Sequence, residues 1–77
     1  ALDSGRAPDA VFSLSRVVAA EPGFDGARME LARALFEAND LEGARAQFAY
    51  LAGRSPPPET AAVIARYQAA IDQRSGR

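Results

Sequence analysis

The sequence predicts an all-α fold of about four helices in antiparallel helix–turn–helix units, and three observations lead there. Apolar residues recur at three- and four-residue steps along every extended segment. No segment shows the two-residue alternation and β-branched enrichment of a strand. Turn-forming clusters, Glu21-Pro22-Gly23, Asn39-Asp40 and Gly53-Arg54-Ser55-Pro56, punctuate the chain between those segments.

The first helix is expected from about Pro8 to Ala20, with proline in its first turn and Glu21-Pro22-Gly23 as its stop. The second is expected from Asp25, as N-cap, to Ala38, with Asn39 in the left-handed conformation that ends a helix. Asp40 then caps a third helix running to about Ala52. The fourth starts near Pro58, after a run of three prolines, and extends to about Gln73, leaving Ser75-Gly76-Arg77 as a tail.

Each helix has a readable apolar face. On the first, Ala10, Leu14, Val17 and Val18 share one side and Phe12 points roughly the opposite way. On the second, Ala27, Leu31, Ala34, Leu35 and Ala38 form a stripe. At about 100° per residue, Met29, Arg33 and Phe36 fall on its other side. A helix apolar on two sides is either sandwiched between neighbours or presents a binding surface. Leu41, Ala44, Phe48 and Leu51 form the stripe of the third helix.

An internal repeat is present at an offset of 34 residues. It places Gly5 on Asn39, Ala10 on Ala44, Leu14 on Phe48, Val17 on Leu51 and Pro22 on Pro56. Each pair keeps one physical role. Gly and Asn turn the chain, Ala permits close approach of two helices, the large apolar residues fill the groove between them, and Pro closes the unit.

These residues resemble the tetratricopeptide repeat, a 34-residue helix–turn–helix unit. In the segment ARMELARALFEANDLEGARAQFAYLAGRSP, Leu31-Ala32, Ala44, Phe48 and Pro56 fit the family pattern. Leu35 replaces a usual aromatic, and Arg28 stands where the family often has Trp. The resemblance implies a single domain over residues 1–77, a fragment of an α-solenoid. Residues 1–22 would be the second half of one repeat, 23–56 a complete repeat, and 57–77 a capping helix and tail. A narrower resemblance comes from the Pro-Pro junction and the following Arg-Tyr-x-x-Ala-Ile-Asp-x-Arg helix. These are similar to the short repeat region preceding the outer-membrane barrel of surface lipoprotein assembly modifier-like proteins. That implies a periplasmic setting, with the cytoplasm as the alternative.

Composition excludes most chemistry. Among 77 residues there is no Cys, His, Trp or Lys. Disulfides, thiol nucleophiles, ordinary zinc or haem sites and a Ser-His triad are therefore impossible, whatever Ser4, Ser13, Ser15, Ser55 and Ser75 do. Gly23 and Gly26 bracket a helix start but lack the rest of a phosphate loop. Glu37, Asp40 and Glu42 lie at a helix end and a helix start, where carboxylates cap or solvate. Arg33 and Glu37, four apart, are expected to form an exposed ion pair. No enzymatic activity, metal or cofactor is expected. With 9 Arg against 10 acidic residues, net charge is −1, and the arginines are spread almost evenly and interleaved with acids. A solvated surface explains that distribution better than a nucleic-acid footprint. The longest aliphatic stretch, Val17-Val18-Ala19-Ala20, falls far short of the roughly 20 residues of a membrane span. No secretory leader is readable at the start of the sequence, and no direct membrane insertion is expected of this segment.

In tetratricopeptide arrays the first helix of each unit lines a concave groove that receives a partner segment. The resemblance implies that Met29, Arg33 and Phe36 occupy that side of the second helix, with Val63 and Tyr67 as counterparts on the fourth. The competing reading is that Phe36 merely packs on the fourth helix. The Asn and basic pattern that clamps a C-terminal carboxylate in chaperone-tail binders is not matched, because Met29 and Glu30 occupy those places. The expected function is non-catalytic binding of a protein or peptide client. A structural spacer or self-assembly segment of a longer solenoid is the alternative. So short a chain buries proportionally little surface. A homodimer through the N-terminal helix is therefore also expected, with Phe12 in the contact.

Overall fold

The computed structural model describes residues 6–76. Four α-helices follow one another: α1 (Arg6–Ala20), α2 (Asp25–Glu37), α3 (Leu41–Ala52) and α4 (Pro58–Arg74). There is no strand among the described residues. Gly5, expected at the turn ahead of α1, lies outside them.

The turns explain the helix boundaries. Asn39 takes φ 66°, the left-handed conformation expected of it. That reversal lets the Asp40 amide donate to the Leu35 carbonyl at 2.8 Å. The Asp40 side chain then accepts from the Gly43 amide at 3.0 Å and caps α3. A Cβ on Gly43 would stand 2.9 Å from the Asp40 carboxylate, so a larger residue there would require that side chain to shift. Between α3 and α4 the left-handed residue is Ser55, at φ 56°, and not Gly53, which stays right-handed at φ −77°. Pro57 is extended and Pro58 opens α4, where a missing amide hydrogen costs nothing.

Asp25 is not the N-cap of α2. Phe24 holds that position without a side-chain bond, and Asp25 lies inside the first turn. The carboxylate is drawn away by Arg54, whose Nε donates to it at 2.9 Å across the end of α3. The bond and the negative charge hold the Arg54 guanidinium above its ordinary pKa.

Helix α2 packs on both α1 and α3, and α4 packs on α3. The helix with two apolar sides is thus sandwiched: Ala27, Leu31, Ala34 and Leu35 are buried, and so is Ala32 off the main stripe. Ala38, expected on the stripe, ends the helix exposed. Ala32, Ala44, Phe48 and Ile71 are fully enclosed at 0% exposure, and no polar or charged residue is buried among those described. Zero exposure at Ala44 agrees with the small-residue crossing between α2 and α3.

The first helix departs from expectation. Val18 is buried and Ala10 and Leu14 are half-buried, but Val17 is 40% exposed. Val11 packs on the core instead. Residues 11, 14 and 18 make one helical stripe, whereas Val17 sits about 100° away from Val18, where no described element covers it. Phe12 stands 67% exposed.

Candidate functional site

Three aromatic rings from three helices build the floor of the site. Phe48, buried on α3, stacks against Tyr67 of α4 with centroids 4.8 Å apart and planes at 16°. Phe36 of α2 meets the same Tyr67 edge-on at 5.2 Å and 84°. Both are preferred aromatic geometries, and they fix the distance between α2 and α4 across α3. Arg74, in the last turn of α4, lays its guanidinium carbon 4.5 Å from the centre of the Phe36 ring.

Above this floor an open cleft of about 500 Å³ runs between α2 and α4. It is lined by Arg33 and Phe36 from α2 and by Val63, Arg66, Tyr67 and Ala70 from α4. Four of the five residues expected at a groove, Arg33, Phe36, Val63 and Tyr67, therefore come together. The fifth does not. Met29 lies in a second cavity, of about 420 Å³, beside Leu51, Pro56, Pro57 and Thr60, at the end of the layer where Asp25 meets Arg54. Met29 is one turn of α2 before Arg33, and the extended Pro56-Pro57 segment covers that turn where α4 covers the next. Phe36 packs on α4 and lines the cleft at once, so the two readings of it do not exclude each other.

Arg66 and Ala70 line the cleft without having been singled out from sequence. Each falls one turn from a residue that was, since Val63, Arg66, Tyr67 and Ala70 share one α4 face. The ion pair expected between Arg33 and Glu37 is not formed. Arg33 Nη1 instead reaches Glu30, three residues before it, at 3.5 Å. Both side chains are about half exposed, so the pair adds little stability. The carboxylates considered for acid–base work have ordinary duties: Asp40 caps α3, and Glu37 and Glu42 are exposed. No cluster of ligating side chains for a metal ion exists among the described residues. No helix among them is long and apolar enough to cross a membrane.

A family model described as tetratricopeptide repeat matches residues 1–71. The chain belongs to the tetratricopeptide repeat family. Repeats of this family are protein–protein interaction modules, typically without catalytic activity. The chain is 39% identical over 74 residues to a surface lipoprotein assembly modifier of Moraxella catarrhalis, covering 96% of this chain and 15% of that protein. It is 34% identical over 70 residues to surface lipoprotein assembly modifier 1 of Neisseria meningitidis, covering 91% and 14%. A tetratricopeptide repeat and J domain-containing co-chaperone of Fusarium oxysporum is 40% identical over 55 residues, covering 71% and 10%. The chain thus spans about one-seventh or less of the curated relatives it matches. No solved structure matches it.

Proposed function

We propose that this tetratricopeptide domain is a non-catalytic module that holds a protein or peptide client in the cleft between α2 and α4. In this reading residues 23–56 are its complete repeat and 57–77 its capping helix and tail. The observation that carries it is the cleft itself. Arg33, Phe36, Val63 and Tyr67 line one open cavity of about 500 Å³, over an aromatic floor that keeps its two walls apart. An apolar concavity with a few polar groups converging on it is the usual form of a ligand site. Two relatives named for surface lipoprotein assembly support a periplasmic setting beside the outer membrane, and a surface lipoprotein as the client.

The test is to select binders for the chain from a random peptide library and map each by amide chemical-shift perturbation. Shifts centred on Arg33, Phe36, Val63 and Tyr67 are expected. Shifts confined to α1, or no selectable binder, would overturn the groove reading. Protease accessibility of the full-length protein in intact and outer-membrane-permeabilised cells tests the compartment.

A second reading rests on a different observation. Phe12 and Val17 of α1 are 67% and 40% exposed, and Phe24, in the turn after α1, is 52% exposed. Large apolar side chains left in water on both sides of a helix favour its burial against a partner. In this reading a second copy of the chain covers that face.

A further inference from the structure

We propose that the cleft between α2 and α4 selects a client segment in which side-chain carboxylates flank apolar residues. This rests on the groove reading above and adds the chemistry of the occupant. The chain as a whole carries net charge −1, so a positive site on it has to be a local arrangement. One is present. Arg33 stands on the α2 wall and Arg66 on the α4 wall, with Phe36, Val63, Tyr67 and Ala70 between them. Arg74 adds a third guanidinium against Phe36 at the end of that floor.

The acids nearby offset these charges only in part. Arg66 makes no salt bridge among the described residues. Its neighbours three and four positions away on α4 are Ala62, Val63, Ala69 and Ala70, none of them acidic. Asp72, the nearest carboxylate along α4, is engaged by Arg45 at 2.7 Å and faces α3. Glu30 pairs with Arg33 at 3.5 Å and Glu37 lies exposed one turn further along α2, so the α2 wall is the less positive of the two and Arg66, with Arg74, carries most of the excess. A guanidinium presents several donors in a plane and pairs with a carboxylate through two of them. Two such forks facing across an apolar floor fit a segment that places Leu or Phe on the floor and Asp or Glu toward each wall. A lone C-terminal carboxylate would satisfy only one wall.

The experiment uses fluorescent peptides with amidated C-termini and the same Leu and Phe positions. The intervening residues are Asp/Glu in one peptide, Asn/Gln in a second and Lys/Arg in a third; a fourth repeats the neutral peptide with a free C-terminal carboxylate. Anisotropy titrations are expected to rank the acidic peptide about tenfold tighter than the amidated neutral one, with an advantage that shrinks as salt rises. Arg66→Gln is exposed and should leave the circular dichroism unchanged while removing most of that advantage. Equal affinity for acidic and neutral peptides, with Arg66→Gln silent, would overturn the selectivity and leave the groove reading standing. Preference for the basic peptide, or for the free terminal carboxylate, would overturn it too. Absence of binding by every peptide would overturn both.

Discussion

Arg28 lies with its guanidinium carbon 4.0 Å from the centre of the Tyr50 ring, so a cation covers an aromatic face between α2 and α3. The same guanidinium donates to the Gln47 side chain at 2.8 Å and to the Pro22 carbonyl at 3.1 Å. One residue thereby ties α2 to α3 and to the turn after α1. The family often has tryptophan at this place. Here the flat guanidinium and its hydrogen bonds stand in for the packing of an indole ring.

Arg28→Ala should therefore cost about 1–2 kcal/mol, the sum of one cation–π contact and its hydrogen bonds. A double-mutant cycle with Tyr50→Ala should give a coupling of roughly 0.5–1 kcal/mol in urea unfolding. Arg28→Lys should recover little of it, because an ammonium cannot lie flat on the ring and bond sideways at once. Additive single effects would show that the two side chains are neighbours without an interaction.

The enclosed crossing of α2 and α3 gives the second prediction. Ala44 is 0% exposed, so Ala44→Leu should destabilise by roughly 1–3 kcal/mol through overpacking. Phe48→Ala should cost about 3–5 kcal/mol and also remove the ring beneath Tyr67. A chain of 77 residues has a total stability of roughly 4–12 kcal/mol, so the Phe48 variant sits near the edge of folding. Thermal melts read both; an unchanged melting temperature for either would contradict the packing.

Much of this core is legible in the sequence because its signals are local. Asn39 and Asp40 announce a turn and a cap within two residues, and the spacing of Ala44, Phe48 and Leu51 needs only one helix to be read. What failed depends on partners far along the chain. Asp25 has the chemistry of an N-cap, but Arg54, 29 residues away, engages it. Val17 and Val18 are equally apolar, and only the position of α2 decides which one is covered. Arg66 was lost among nine arginines spread evenly along the chain. Even spacing in sequence does not mean even spacing in space, and α2 and α4 bring Arg33 and Arg66 to the two walls of one cleft.

A third prediction follows from the Asp25–Arg54 bond. A raised folded-state pKa contributes stability that is fully present below the ordinary arginine value and is lost only as pH rises through the folded value. That window lies in strong base. The chain also has no His or Cys to titrate near neutrality. The melting temperature should accordingly stay constant between about pH 6 and 9. Arg54→Gln should lower it only slightly, since the pair is exposed and screened by salt. A pronounced midpoint near neutral pH would contradict this expectation.

The last prediction concerns the open face of α1. At the 34-residue offset, Ala10, Leu14 and Val17 take the roles of Ala44, Phe48 and Leu51. The three on α3 are 0%, 0% and 4% exposed because α3 is packed on by both α2 and α4, whereas α1 has only α2 against it. Their counterparts on α1 are less covered, with Val17 at 40%, and Phe12 adds a ring at 67%. Repeat units bury such faces against their neighbours, and a second copy of the chain offers the nearest apolar surface when no neighbour is present. Sedimentation equilibrium at tens of micromolar should show a monomer–dimer equilibrium. Phe12→Ser should weaken it while leaving the α2–α3 pair folded, since Phe12 is absent from the core. If a longer parent chain carries a further repeat ahead of α1, restoring it should convert the dimer to a monomer, and the association would belong to the isolated segment. A clean monomer of this chain at all concentrations would remove the self-association reading altogether.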